Sequence, residues 1–233
     1  MTSPARRHYQ RVTAAREAGD AIAGPSRNSE QYALMMAAMW EARRALKEVK
    51  STEGKVALKR RLLPQFDAYI EGVLEGGSGA RDEVLTRVMI WRFDTGDLPG
   101  ALAIARYALA HDLDTPDSFE RDTPSLVAEQ MAEETLGQLE RSDPDEHPAL
   151  AAHLAALLSQ AHDLIAGADM HDQISAKFHK AHGYALRSTG DADAALEQLR
   201  RAYELNDRAG VKQDIQKLER EIAKRNTGSQ PDG

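Results

Sequence analysis

Thr95-Gly96-Asp97-Leu98-Pro99-Gly100-Ala101-Leu102 and Thr189-Gly190-Asp191-Ala192-Asp193-Ala194-Ala195-Leu196 are two copies of one motif, 94 residues apart. The match continues through Arg106/Arg200 and Ala108/Ala202. Each copy reads as the turn of a helical hairpin. Gly ends the first helix because it tolerates the left-handed conformation at a C-terminal cap. The Asp beside it caps the next helix by accepting a backbone N–H bond. The small residue at Ala101 or Ala195 lets the two helices approach closely. Around these motifs, apolar residues recur at spacings of three and four, and alternating runs of strand length are nearly absent. Ala, Leu, Glu, Gln, Arg and Lys dominate, as in helices. The expected class is therefore all-α, built from helical hairpins.

The second copy resembles a tetratricopeptide unit, with Gly183, Ala195, Leu199 and Ala202 at that repeat's signature spacings. Its aromatic signature positions hold His179 and Leu186 instead. Convergence of any close αα-hairpin on Gly-Asp turns and Ala contacts is the plainer explanation, and either way the hairpins supply architecture rather than chemistry. The spacing predicts a polar leader, then helices over about 29–50, a short basic stretch ending at Pro64, 65–75, 81–94, 98–111, 125–141, 147–166, 172–188, 192–206 and 211–224. Gly76-Gly77-Ser78-Gly79 reads as a flexible break.

The chain has 233 residues, 42% of them apolar and 29% charged, enough to bury a proper core. It has no cysteine, which excludes disulfides, thiolate zinc sites, iron–sulfur clusters and cysteine nucleophiles. The N-terminus carries no apolar run after its charges, so it is not read as a secretory signal. The most apolar window, 148–167, is interrupted by His153, His162 and Asp163, so no membrane span is expected. A soluble, intracellular protein follows as an expectation.

Net charge is −7 but unevenly placed: residues 1–61 hold 13 Lys+Arg against 6 Asp+Glu, and residues 62–233 hold 17 against 31. Three regions are expected: a basic DNA-binding and oligomerisation region at 1–61, an acidic α-helical hairpin domain at 62–225, and a disordered tail at 226–233. Arg6, Arg7, Arg11 and Arg16 lead in; Arg43, Arg44, Lys47 and Lys50 form a helical cluster; Lys55, Lys59, Arg60 and Arg61 close the region. Positions 43, 47 and 50 are read as one face, opposite much of the apolar stripe on the same helix. Such cations neutralise phosphates and release counterions, giving salt-sensitive nucleic-acid binding; a charge run can equally be a solvated face.

Tyr32, Met35, Met39, Ala42, Leu46 and Val49 follow a 3-4-3-4-3 spacing, the pattern of a coiled-coil seam over about two and a half heptads. It can serve as a subunit contact, through Tyr32, Met35, Met39, Leu46 and Val49, or pack on the chain's own next helix. With Met36 and Trp40 added, the face is wider than one partner helix needs.

No catalytic constellation emerges. Gly54-Lys55-Val56 lacks the rest of a phosphate loop, so ATP hydrolysis is not expected of this chain. There is no Gly-x-Ser-x-Gly elbow. His179 and His182, with Asp169, His171 and Asp172 nearby, have the residue types of a metal site, but hairpin packing explains them and no metal is assigned. His147, His153 and His162 read as solvated or half-buried. The acidic stretch Asp112, Asp114, Asp117, Glu120 and Asp122 offers carboxylates for two-metal nuclease chemistry, and reads equally as a solvated connection. Glu48-Val49-Lys50 has the Glu-x-Lys form of a nuclease core but sits in a helical pattern. No cofactor is assigned, with a divalent metal required only if the chain is itself a nuclease.

Three groups of residues point to one family. The first is the opening Met1-Thr2-Ser3-Pro4-Ala5 with Arg7-His8 and Arg11-Val12. The densest is Val88-Met89, Trp91-Arg92, Asp94-Thr95-Gly96-Asp97, Gly100-Ala101-Leu102 and Ile104-Ala105-Arg106-Tyr107-Ala108-Leu109. The third is Leu62-Leu63-Pro64, His179-Lys180, Gly190-Asp191-Ala192, Ala209-Gly210-Val211-Lys212 and Leu218-Glu219-Arg220-Glu221. Through them the chain resembles the small terminase subunit, or M protein, family of peduovirus-type temperate phages that package cohesive-end DNA. The resemblance implies a subunit that recognises double-stranded viral DNA at the cohesive-end site and recruits a large ATPase subunit, which drives DNA into the procapsid. It also implies a homo-oligomeric ring, indirect contact with procapsid and portal, no membrane, and action in the bacterial host's cytoplasm. The family is labelled as the terminase's endonuclease subunit, so cutting by this chain itself, through a carboxylate set that includes Asp94, Asp97 or Asp112, is the alternative to cutting by the large subunit. A second alternative is a tetratricopeptide-like adaptor with no DNA role. The long basic C-terminal tail of some relatives is not present after Lys224-Arg225.

Overall fold

A computed structural model describes residues 3–20, 30–116, 121–143 and 147–228. Among them are eleven α-helices and no strand. They are α1 (Pro4–Asp20), α2 (Glu30–Glu48), α3 (Thr52–Leu62), α4 (Asp67–Gly76), α5 (Glu83–Asp94), α6 (Leu98–Ala110), α7 (Thr123–Arg141), α8 (His147–Ile165), α9 (Asp172–Ser188), α10 (Ala192–Leu205) and α11 (Lys212–Gly228), with a 3-10 turn at Leu63–Gln65. The all-α class read from the hydrophobic period is the class of the chain. The chain divides into two compact units, Met1–Thr123 and Pro124–Gly233. Of the tail expected from Asn226, three residues continue α11 and residues 229–233 lie outside the described residues. No described helix is long and apolar enough to cross a membrane.

In the first unit, α5 is buried nearly all round, from Val84 and Leu85 to Trp91 and Phe93, which makes it the central helix. Buried Asp82 caps it by accepting the Leu85 N–H at 2.9 Å. Phe66 meets Trp91 edge-on, with ring centroids 6.2 Å apart. The stretch read only as a polar leader contains a helix, α1, packed on α4. The cause is two glycines: a Cβ at Gly72 would stand 2.3 Å from the Arg11 carbonyl oxygen, and one at Gly76 would stand 2.4 Å from that of Ala15. Only hydrogen at these positions lets the two backbones come so close. Nor is the glycine run a loose break. Gly77 closes α4 in the left-handed conformation (φ 59°), Gly79 donates its N–H to the Tyr107 hydroxyl at 2.9 Å, and Ala80 is buried.

Both repeat turns have the expected construction. Gly96 and Gly190 take positive φ (79° and 87°), and Asp97 and Asp191 accept the N–H groups of Gly100 (3.0 Å) and Ala194 (3.1 Å). In the second unit, α8, α9, α10 and α11 pack each on the next. The α9–α10 crossing is tight because Gly183 faces Leu199: an added Cβ would lie 2.7 Å from its side chain. At the same offset in the first copy stand Met89 and Ala105, both fully buried, so the large and small partners have traded helices.

Candidate nucleic-acid interface

The basic residues are distributed over α1, α2 and α3, all in the first unit. On α1, Arg6, Arg7 and Arg16 are exposed, whereas Arg11 pairs with Glu75 at 3.6 Å. On α2, Arg44 and Lys47 are exposed in its last turns, and the Arg43 guanidinium lies over the Trp40 ring, 4.9 Å from its centroid. Lys50 is exposed just past the end of α2, and Lys55 and Arg61 are exposed on α3, whose N-terminus Ser51 caps. Two members of the predicted set differ. Lys59 bonds Asp94 at 2.5 Å, and Arg60 donates to the Thr95 carbonyl at 3.0 and 3.3 Å. These two clamp α3 to the turn between α5 and α6.

The stripe on α2 lies on the side that meets α1, α3 and α5. Met39 and Ala42 are buried, while Tyr32, Met35, Leu46 and Val49 are half-buried. The Met35 sulfur accepts from Gln10 of α1 at 3.2 Å. The exposed arc of α2 carries Leu34, Ala37, Trp40 and Arg44 instead. Sequence reasoning grouped Trp40 with the stripe; its helical angle sets it about a quarter turn or more from Met39. The cations Arg43 and Arg44 one turn after the indole were the signal that distinguishes it.

The carboxylates offered for metal chemistry are largely engaged. Asp94 is held by Lys59; Asp97 caps α6 and pairs with Arg92, which also bonds Asp67 at 2.8 Å. Burial raises the Asp67 carboxyl pKa, against the pull of Arg92. Asp112 and Asp114 are exposed, Asp114 pairing with Arg81 at 2.6 Å; Asp117 and Glu120 lie outside the described residues. His179 bonds Gln198 at 2.8 Å and His182 bonds Ser159 at 3.2 Å, the packing roles that the hairpin reading assigns them. Burial lowers the pKa of both, that of His182 to about 4. Among the described residues no group of three or more His, Asp or Glu is placed to hold a metal ion.

A family model described as phage small terminase subunit matches residues 36–173, from the middle of α2 into the start of α9. Over 228 residues the chain is 43% identical to "Terminase, endonuclease subunit" of Escherichia phage P2, covering 95% of this chain and 86% of that protein. This chain belongs to the phage small terminase subunit family. It is also 25% identical over 205 residues to "Probable terminase, endonuclease subunit" of Haemophilus phage HP1 (strain HP1c1), covering 82% of this chain and 70% of that protein. No solved structure matches it. For this small terminase subunit, the family match contains the basic clusters of α2 and α3 and the first hairpin turn. Helix α1 and the second hairpin turn lie outside that match.

Proposed function

We propose that this chain is the DNA-recognising subunit of a phage terminase. It binds double-stranded viral DNA at the cohesive-end packaging site and directs its cleavage and packaging together with a large ATPase subunit. Family membership is the observation that carries this reading. The exposed cations Arg44, Lys47, Lys50, Lys55 and Arg61 on consecutive helices supply a phosphate-binding surface, and Arg6, Arg7 and Arg16 supply a second basic group on α1. Lys59 and Arg60 contribute indirectly, by fixing α3. The acidic hairpins dock other packaging proteins, the procapsid and portal being reached through the large subunit. Copies assemble into a ring by way of the helix that carries the Tyr32–Val49 stripe. The site of action is the cytoplasm of the bacterial host.

The names of both relatives favour a second reading, in which this chain itself cuts the cohesive-end site with a divalent metal. The engagement of Asp94 by Lys59 and of Asp97 by Arg92 supports the recognition role over this one. The deciding experiment incubates the purified chain, without a large subunit, with a fragment spanning the packaging site, with and without magnesium or manganese. Retarded but intact DNA on native and denaturing gels is the expected result. Discrete metal-dependent cleavage would establish the second reading, and no retardation at all would remove both.

A further inference from the structure

Trp40 is 56% exposed, whereas the chain's other tryptophan, Trp91, is buried beside Phe66. Leaving an indole in water forgoes a large burial energy, and the neighbouring side chains point to what it is held out for. Arg43 covers one side of the ring. Helical spacing places Met36 and Ala37 one turn before it, Arg44 one turn after and Lys47 two turns after. Trp40, Glu41, Arg43, Arg44 and Lys47 line one shallow depression, three cations against one acid. Among the described residues none of its three cations is in an ion pair with a carboxylate.

We infer that this depression is a stacking site for unpaired bases, so that the chain binds single-stranded DNA as well as duplex. Phosphate-binding cations serve either form. A protruding aromatic ring adds something that only an unstacked base can use, because the bases of a duplex already stack on each other. Arg43 lies over one face of the ring and the base takes the other, while Arg44 and Lys47 stand one and two helical turns on, where the strand's phosphates need neutralising. The charges argue against a two-fold partner, since a contact centred on Trp40 would set these three cations against the same three; a head-to-tail contact, as in a ring, is read by the mass measurement below.

This site rests on the DNA-binding reading above, and the test separates the two. The full chain is titrated with a 20-nucleotide single strand and with the blunt duplex of the same sequence, following tryptophan emission and gel retardation. Light scattering records the mass. Single strand is expected to quench Trp40. In Trp40→Phe the remaining Trp91 emission should stay unquenched, with affinity within about threefold because phenylalanine also stacks. Trp40→Ala should bind single strand roughly 5- to 150-fold more weakly, with duplex affinity changed less than about twofold. Because the ring is exposed, circular dichroism of Trp40→Ala should match the parent. Unchanged single-strand affinity in Trp40→Ala overturns the proposal, as does an equal loss on both ligands. A fall in mass with single-strand binding intact also overturns it, assigning Trp40 to assembly. Intact duplex binding alongside any of these leaves the packaging reading standing. Quenching by single strand without duplex binding supports the stacking site and removes the duplex-recognition role.

Discussion

Asp82 is a buried carboxylate at the start of α5, accepting the Tyr69 hydroxyl at 2.5 Å and the Leu85 N–H at 2.9 Å. Burial raises its pKa even though those hydrogen bonds pull the other way. An acid whose folded pKa is raised binds more protons folded than unfolded, so its contribution to stability falls as pH rises above the ordinary carboxylate range. Asp82→Asn lacks that loss. Its melting temperature relative to the parent should therefore climb with pH; a flat difference would show an unshifted carboxyl. His182 has the opposite sign. Its pKa is lowered to about 4, so stability is full above 6.5 and is lost as pH falls from there toward 4. His182→Gln should gain on the parent over that window by on the order of 2 kcal/mol, measured by urea unfolding at pH 7 and pH 4.5. Lys59 separates structure from binding at the same scale. Lys59→Gln should lower the melting temperature because it leaves Asp94 half-buried and unpaired. Lys47→Gln should leave the melting temperature alone and weaken DNA binding; the reverse pattern would exchange their roles.

At the scale of elements, close helix crossings depend on single hydrogen atoms. Gly72→Ala would press a methyl onto the α1 backbone, so either α1 must lift from α4 or the unit must strain. The expected cost is about 2–3 kcal/mol, with faster proteolysis within α1 as the accompanying readout. Unchanged stability would mean that α1 is not held there. These contacts were legible only in part. Gly72 and Gly76, four apart, face Ala14, Ala15 and Ala18, but small residues at such spacing inside a charged leader look like a polar arm until the partner helix is known. The hairpin turns were legible because their signal is local: a glycine with positive φ and an aspartate cap need nothing beyond eight residues of sequence.

For the whole molecule, reversing Arg43, Arg44 and Lys47 to Glu should abolish duplex binding with helicity unchanged. Unaltered affinity in gel retardation would sink the proposed surface. Assembly needs a different probe from the one the stripe suggests. Met39 is only 1% exposed, so Met39→Asp would report on the fold of the first unit. Leu34→Asp, at a position 53% exposed, leaves the fold intact and reads copy-to-copy contact on the outer arc of α2; a mass unchanged by light scattering would clear that arc of an assembly role.

The sequence by itself determined the helical class, most helix limits and both hairpin turns, since periodicity, caps and glycine conformations are properties of neighbouring residues. It also carried the family, through residue identities spread over the whole chain. The tertiary structure alone decided which cations bond other parts of the chain. Lys59 and Arg60 look the same as Lys55 and Arg61 in sequence, yet the α5–α6 turn, more than thirty residues away, accepts hydrogen bonds from the first pair, Arg60 reaching it from an otherwise exposed position. The stripe on α2 depends on tertiary packing in the same way: a 3-4 spacing states that one face is apolar, and only the packed neighbours show that Met39 and Ala42 are its buried members. Long-range pairing depends on where the chain returns, which no local pattern encodes.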